Sequence, residues 1–180
     1  MKKIALVLAL VLSMSCLAAC GSTAPETTAP AAPAVTAPAG TTAELIDSIY
    51  ANVTVELGLV TETTEGALAD AEMFTYLTTL PSMEGIVDAA VSMPMMGSQA
   101  YHLALVRAES AEKAAEAAQF MFDNMDMARW VCVQATEKQA VVCGDLALFI
   151  MLDPQHGTTS DQIVEAFTTV CGGAVDTVIK

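Results

Sequence analysis

Apolar residues recur at different intervals along the chain, and each interval implies a different element. Leu45, Ile46, Ile49, Tyr50 and Val53 share one face of a 3.6-residue period, which predicts a helix. Thr41 and Glu44, three residues apart, match a capping box that sets its start. Between 54 and 82 the pattern blurs, although Glu65–Leu80 has room for one or two short helical turns before Pro81. From Gly85 the period falls to two. GIVDAAVS (85–92) and QAYHLALVR (99–107) read as strands joined through Met-Pro-Met-Met-Gly at 93–97, which predicts a hairpin. Ser110 then caps a helix with the apolar stripe Ala114, Ala117, Ala118, Met121, Met125 and Ala128. Glu112, Glu116, Gln119 and Asp123 supply its polar side.

Three more apolar runs follow: WVCVQA (130–135), QAVVC (139–143) and LALFIML (146–152). They read as a three-strand meander. Gly144-Asp145 suits its second turn, since glycine tolerates the positive φ of a two-residue hairpin loop. A last helix starts at Thr159 or Ser160, with Gln162 completing a capping box. It carries Ile163, Val164, Phe167, Val170 and Cys171 on one side and stops at Gly172-Gly173. The expected fold is α+β, an antiparallel sheet of about five strands (hairpin plus three-strand meander) packed by helices. LALFIML lacks the polar alternation of a strand with one wet face. Either helices cover both its sides or a second copy of the chain covers one, which would be a sheet-mediated homodimer.

The first forty residues follow another logic. Met1-Lys2-Lys3 is a short positive start, Ile4–Leu12 an unbroken apolar run, and small residues lead to Leu17-Ala18-Ala19-Cys20. That is the layout of a signal peptide. The sixteen residues from Ile4 to Ala19 fall short of a bilayer-spanning helix, which needs about 20. Leu-Ala-Ala-Cys resembles the bacterial lipobox, in which the cysteine sulfur takes a diacylglyceryl group and becomes the new N-terminus. The resemblance implies lipidation of Cys20 and anchoring on the outer face of the cell membrane, where two acyl chains hold stably. Residues 21–42 then repeat Pro among Ala and Thr, with too little apolar surface to offset the entropy of ordering. The expected division is a lipoprotein signal peptide at 1–19, lipidated Cys20 and a Pro/Ala/Thr-rich tether at 20–41, and a single domain at 42–180.

Charge narrows the partners. The chain has 21 acidic and seven basic residues, a formal net charge of −14. Cleavage after Ala19 removes Lys2 and Lys3 and no acid, leaving five basic against 21 acidic, or −16. Such a chain repels phosphate backbones and anionic headgroups, which argues against nucleic acid and polybasic membrane docking. The acidity serves solubility or, on a sharper reading, recruits cations.

A family resemblance adds to this. The stretch MARWVCVQATEKQAVVCGDLALFIML is similar to the end of an uncharacterised domain in small lipoproteins of Gram-positive, largely anaerobic bacteria. EGIVDAAVSMP, YHLALVRAESAEKAAEA, the Arg129-Trp130 pair and the Gly144-Asp145 turn carry the likeness, over residues 44–170 or so. It is a domain of unknown function. The resemblance therefore implies location and fold, not activity, and no functional residue carries over.

Candidate chemistry is sparse. If a turn centres on Glu137-Lys138, Cys132 and Cys143 stand opposite one another. An exported chain permits a Cys132–Cys143 disulfide, and two buried thiols are the alternative. The anaerobic host that the resemblance implies favours the thiols. Cys171 reads as core packing. A nucleophilic thiol needs a thiolate-stabilising neighbour, and the chain has only two histidines, His102 and His156. His102 alternates with Ala104 and Val106 and reads as a hydrogen-bonded core or interface residue, whereas His156 falls in the polar loop DPQHGTTS. No CxxC, HExxH or EF-hand pattern occurs, since Asp123–Asp126 lacks the glycine and distal glutamate. No glycine-rich phosphate loop follows a strand, and the Asn52-Val53-Thr54 acceptor carries little weight in a bacterial lipoprotein.

Met93, Met95 and Met96, with His102 downstream, could bind Cu(I) through thioethers. A methionine turn that packs on a partner or the core is the plainer reading, and these methionines are then the first interaction candidates. No resident cofactor or metal is expected. The function expected is a membrane-anchored extracytoplasmic, non-catalytic binding module for an unknown protein or envelope component. The copper-binding lipoprotein is the alternative, and an enzyme is not expected.

Overall fold

The computed structural model describes residues 35–180. The leader, Cys20 and most of the predicted tether lie outside them. The helices begin where the caps predict. α1 (Thr42–Tyr50) starts at Thr41, whose hydroxyl accepts from Glu44 N at 3.2 Å while the Glu44 carboxylate accepts from Thr41 N at 2.8 Å. Ser110 caps α3 (Ala111–Asn124) and the Thr159/Gln162 box caps α4 (Ser160–Val170). α2 (Ala71–Thr78) fills the blurred region. Asp70 caps it, and Thr79 ends it at a φ of 63°.

Six strands form one sheet: β1 (Leu59–Thr63), β2 (Ile86–Pro94), β3 (Tyr101–Ala108), β4 (Glu137–Cys143), β5 (Leu146–Leu152) and β6 (Thr177–Ile179). Their order is β1-β2-β3-β5-β4-β6, with antiparallel neighbours throughout. The chain is therefore α+β as expected, with one strand more.

Helices cover both faces. Ala147, Phe149 and Met151 of β5 point into a core shared with α2 and α3, which supply Phe74, Leu77, Ala114, Ala118 and Met121. Leu146, Leu148, Ile150 and Leu152 point the other way, against Leu45, Ile46 and Ile49 of α1 and Ile163 and Phe167 of α4. All seven β5 residues are buried. The two-sided apolarity of LALFIML that suggested a homodimer is thus accounted for within one chain.

Two expectations are corrected. Residues 130–135 form no strand but part of the loop from α3 to β4. The free side of β4 is taken by β6 instead, through Ala140–Ile179, Val141–Val178 and Val142–Thr177. A second correction concerns the tether, whose last residues belong to the fold. Val35 and Ala37 pack on the α1/α4 core, and Val35 N donates to Asp176 Oδ1 at 3.1 Å.

Candidate functional site

The antiparallel strands give the sheet two ends, built from different residues. At one end lie the start of β2, the end of β3 and the β4–β5 turn. Asp88 and Arg107 are cross-strand partners there, and each grips a different part of the incoming chain. Asp88 Oδ2 accepts from Thr42 N at 2.7 Å and Thr42 Oγ1 at 2.9 Å, and Oδ1 accepts from Thr64 Oγ1 at 2.9 Å. Burial works to raise the Asp88 pKa. The hydrogen bonds from Thr42, Thr64 and the Ala89 backbone outweigh it and hold the carboxyl below its ordinary value. Arg107 donates to Asp145 Oδ1 at 2.7 Å, Pro38 O at 2.7 Å and Gly40 O at 3.2 Å. Gly144 has a φ of +56°, and a Cβ on it would lie 2.7 Å from Val35 O and 2.8 Å from Ala37 N. Only glycine lets residues 35–37 lie this close.

Beside this grip is a cleft of about 540 Å³ lined by Glu44, Glu65, Asp88 and Arg107. Its charged groups Asp88 and Arg107 are already committed, Asp88 to the Thr42 and Thr64 donors and Arg107 to three acceptors. A second cleft, of about 440 Å³, lies near the start of α4. There Lys138 Nζ donates to Phe122 O at 2.7 Å and stands 4.3 Å from the Phe122 ring centroid, and Lys180 pairs with Asp161 at 2.8 Å. Gln139 Nε2 donates to Ser160 Oγ and Asp161 Oδ1, and its buried Oε1 has no partner. Both clefts are bordered by groups that hold elements together.

The opposite end carries the β2–β3 turn, the α3–β4 loop and the last turn of α2. Four large apolar side chains are exposed there. Met95 is 75% exposed, Met96 60%, Tyr76 63% and Val131 96%. Arg129 ties the α3–β4 loop to α2. It donates to Tyr76 O at 2.9 Å and to Met125 Sδ at 3.1 Å, with its guanidinium 4.8 Å from the Tyr76 ring centroid. Trp130 packs partly on the core beneath, leaving Val131 and Cys132 outward. Of the sequence candidates, Met95 and Met96 lie on this surface, whereas Met93 packs against the α2/α3 core. Sequence reasoning missed Tyr76 and Val131. An apolar residue in a strand-like run implies burial, so the exposure of Val131 carried no local signal.

His102 lies inside the molecule behind that end. Its Nε2 is 2.8 Å from Leu77 O, and because a carbonyl only accepts, Nε2 carries the proton. Burial, with the nearby Arg129 charge, pulls its pKa down to about 3 against the partial support of the Leu77 bond. It is a neutral core histidine, in line with its apolar strand face. The methionine–histidine set is thus divided between solvent, where Met95 and Met96 lie, and the interior. Among the described residues no group of three or more His, Cys, Asp and Glu is placed to hold a metal. None of their helices is long and apolar enough to cross a membrane.

The register behind the Cys132–Cys143 bridge does not form. Glu137 and Lys138 are β4 residues paired with Leu152 and Met151, not a turn. Cys132 is exposed before the start of β4, and Cys143 is buried at its far end. The intervening strand alone separates them by roughly 20 Å, against a limit of about 7 Å between bridged Cα atoms. Both are free thiols, as is Cys171. The neighbour of Cys143 is Cys171, with the two thiols within hydrogen-bonding reach of each other.

No family model matches this chain, and no match is found among curated proteins or solved structures. The arrangement therefore stands on its own geometry.

Proposed function

We propose that the chain is a membrane-anchored extracytoplasmic binding module, non-catalytic, that contacts a protein or envelope component through Tyr76, Met95, Met96 and Val131. One observation carries this reading: the large exposed apolar side chains of the β2–β3 turn, the α3–β4 loop and α2 sit at the end of the sheet opposite the point where residues 35–40 enter. A domain held by its N-terminus presents the far end to its surroundings. Exposed methionine and aromatic side chains adapt to varied surfaces and bury large area on contact. The signal peptide, the lipobox-like Leu-Ala-Ala-Cys20 and the proline-rich tether support the anchor. The commitment of Asp88, Arg107 and His102 to structural hydrogen bonds supports a binding role over a catalytic one.

A photo-crosslinking amino acid placed at Met96 or Val131 tests the reading in intact cells. Discrete adducts are expected from those positions and none from Glu116, on the exposed side of α3. Equal yield from all three positions would sink it.

A further inference from the structure

We infer that Cys143 and Cys171 are a disulfide site, closed as the chain folds outside the cytoplasm. The geometry fixes the pair from both sides. Cys143 ends β4 and Cys171 caps the C-terminus of α4, and both point into the α1/α4 core. The chain between them and β6 is pinned at each end. Cys171 N donates to Phe167 O at 2.9 Å, and Asp176 N donates to Val142 O at 2.8 Å. The Asp176 carboxylate also accepts from Gly144 N at 2.6 Å, so Asp176 bonds the residues on both sides of Cys143 while lying five positions beyond Cys171. These anchors bring both cysteines into one buried core cluster, where each thiol is the hydrogen-bonding neighbour of the other. Gly172 and Gly173, with φ of 80° and 95° and open space at their Cβ positions, leave the Cys171 flank free to adjust.

The chemistry is thiol–disulfide exchange with a small or protein-borne disulfide. One cysteine loses its proton, and its sulfur attacks the oxidant to give a mixed disulfide and one free thiol. The second cysteine, as thiolate, then displaces the remaining half. Two protein thiols become one S–S bond, and the oxidant disulfide takes up two electrons and two protons to become two thiols. Burial pushes both cysteine pKa values up in the folded chain, where they are poor nucleophiles. The exchange therefore precedes final packing, and the finished bond is sealed from reductant.

This inference rests on the extracytoplasmic reading for its oxidant, so its test uses none of the cell. The reduced full chain is unfolded, refolded with mixed oxidised and reduced glutathione, alkylated and peptide-mapped. A linked Cys143–Cys171 peptide with Cys132 outside it is expected. Refolded protein in which both are alkylated, or in which either is joined to Cys132, overturns the site. In a second arm the reduced but folded chain meets oxidised glutathione, and Cys132 should react at least tenfold faster than the buried pair. Comparable rates would overturn closure before packing. Cys132→Ser, at an exposed position on the other end of the sheet, should leave the bridge yield unchanged and controls for refolding. Failure of refolding to give the bridge counts against the site itself, while failure of the anchor reading would appear only in cells.

Discussion

The two ends of the sheet differ in how their side chains are employed. Where residues 35–40 enter, Asp88 and Asp176 hold backbone N–H and hydroxyl groups, and Arg107 divides its donors between the Asp145 carboxylate and two backbone carbonyls. At the far end, Tyr76, Met95, Met96 and Val131 stand outward, with Arg129 tying the α3–β4 loop to α2. One end is specified by polar contacts that a substitution would orphan; the other leaves large apolar side chains largely exposed. This contrast teaches where to look for function. Exposed apolar residues whose removal should cost little stability are the first positions at which to test for a partner.

The largest effect tests the interior behind the far end. His102 is neutral and buried, with a folded pKa of about 3, below the unfolded value of about 6.5. Between those values the unfolded chain binds more protons than the folded one, so stability falls as pH drops through that window. The loss should reach on the order of 3 kcal/mol by pH 4. Urea unfolding of the wild type and His102→Gln between pH 7 and 4 measures it, and the variant should be flatter. Parallel profiles would show that His102 is not the neutral anchor of this end.

Next comes the polar end. Asp88→Ala removes the acceptor of Thr42 N, Thr42 Oγ1 and Thr64 Oγ1, which should destabilise by about 2 kcal/mol in thermal or urea unfolding. The lowered Asp88 pKa gives this contribution a pH sense. It is present above the unfolded carboxyl pKa and is lost as pH falls through the folded one. A variant as stable as the wild type would erase the distinction between the two ends. Smallest of all should be Met96→Lys and Val131→Lys, each within about 0.5 kcal/mol of wild type because both side chains face solvent. A destabilisation above 2 kcal/mol at either site would mean that the far end supports the fold and is not free for a partner.

What could be read from the sequence follows the range of the signal. The Thr41/Glu44 and Thr159/Gln162 boxes and the Ser110 cap act over three residues, and the helices start where they say. Short apolar runs bounded by turn residues located β2 to β5. β1 was lost because Leu-Val-Thr-Glu-Thr is half-buried along its whole length, and β6 because three residues carry no period. WVCVQA looked like a strand, but its slot beside β4 was filled from the far end of the chain, a competition invisible to local pattern. The site divides in the same way. The methionines of the 93–97 turn were legible as a tip, whereas the nearness of Cys143 to Cys171 depends on how α4 returns to the sheet.

The place of β5 between β3 and β4 has a consequence for how the chain must be made. β3 spans Tyr101–Ala108, yet its partner on that side, β5, begins only at Leu146. The central pairing is thus long-range and carries the slow folding that distant contacts impose. Until β5 arrives, β3 offers a bare, apolar edge to any strand nearby. A chain stopped just before Leu146 could pair β1, β2 and β3 but would leave that edge open, which makes it a species expected to aggregate. The sheet closes only when nearly the whole sequence is present to close it.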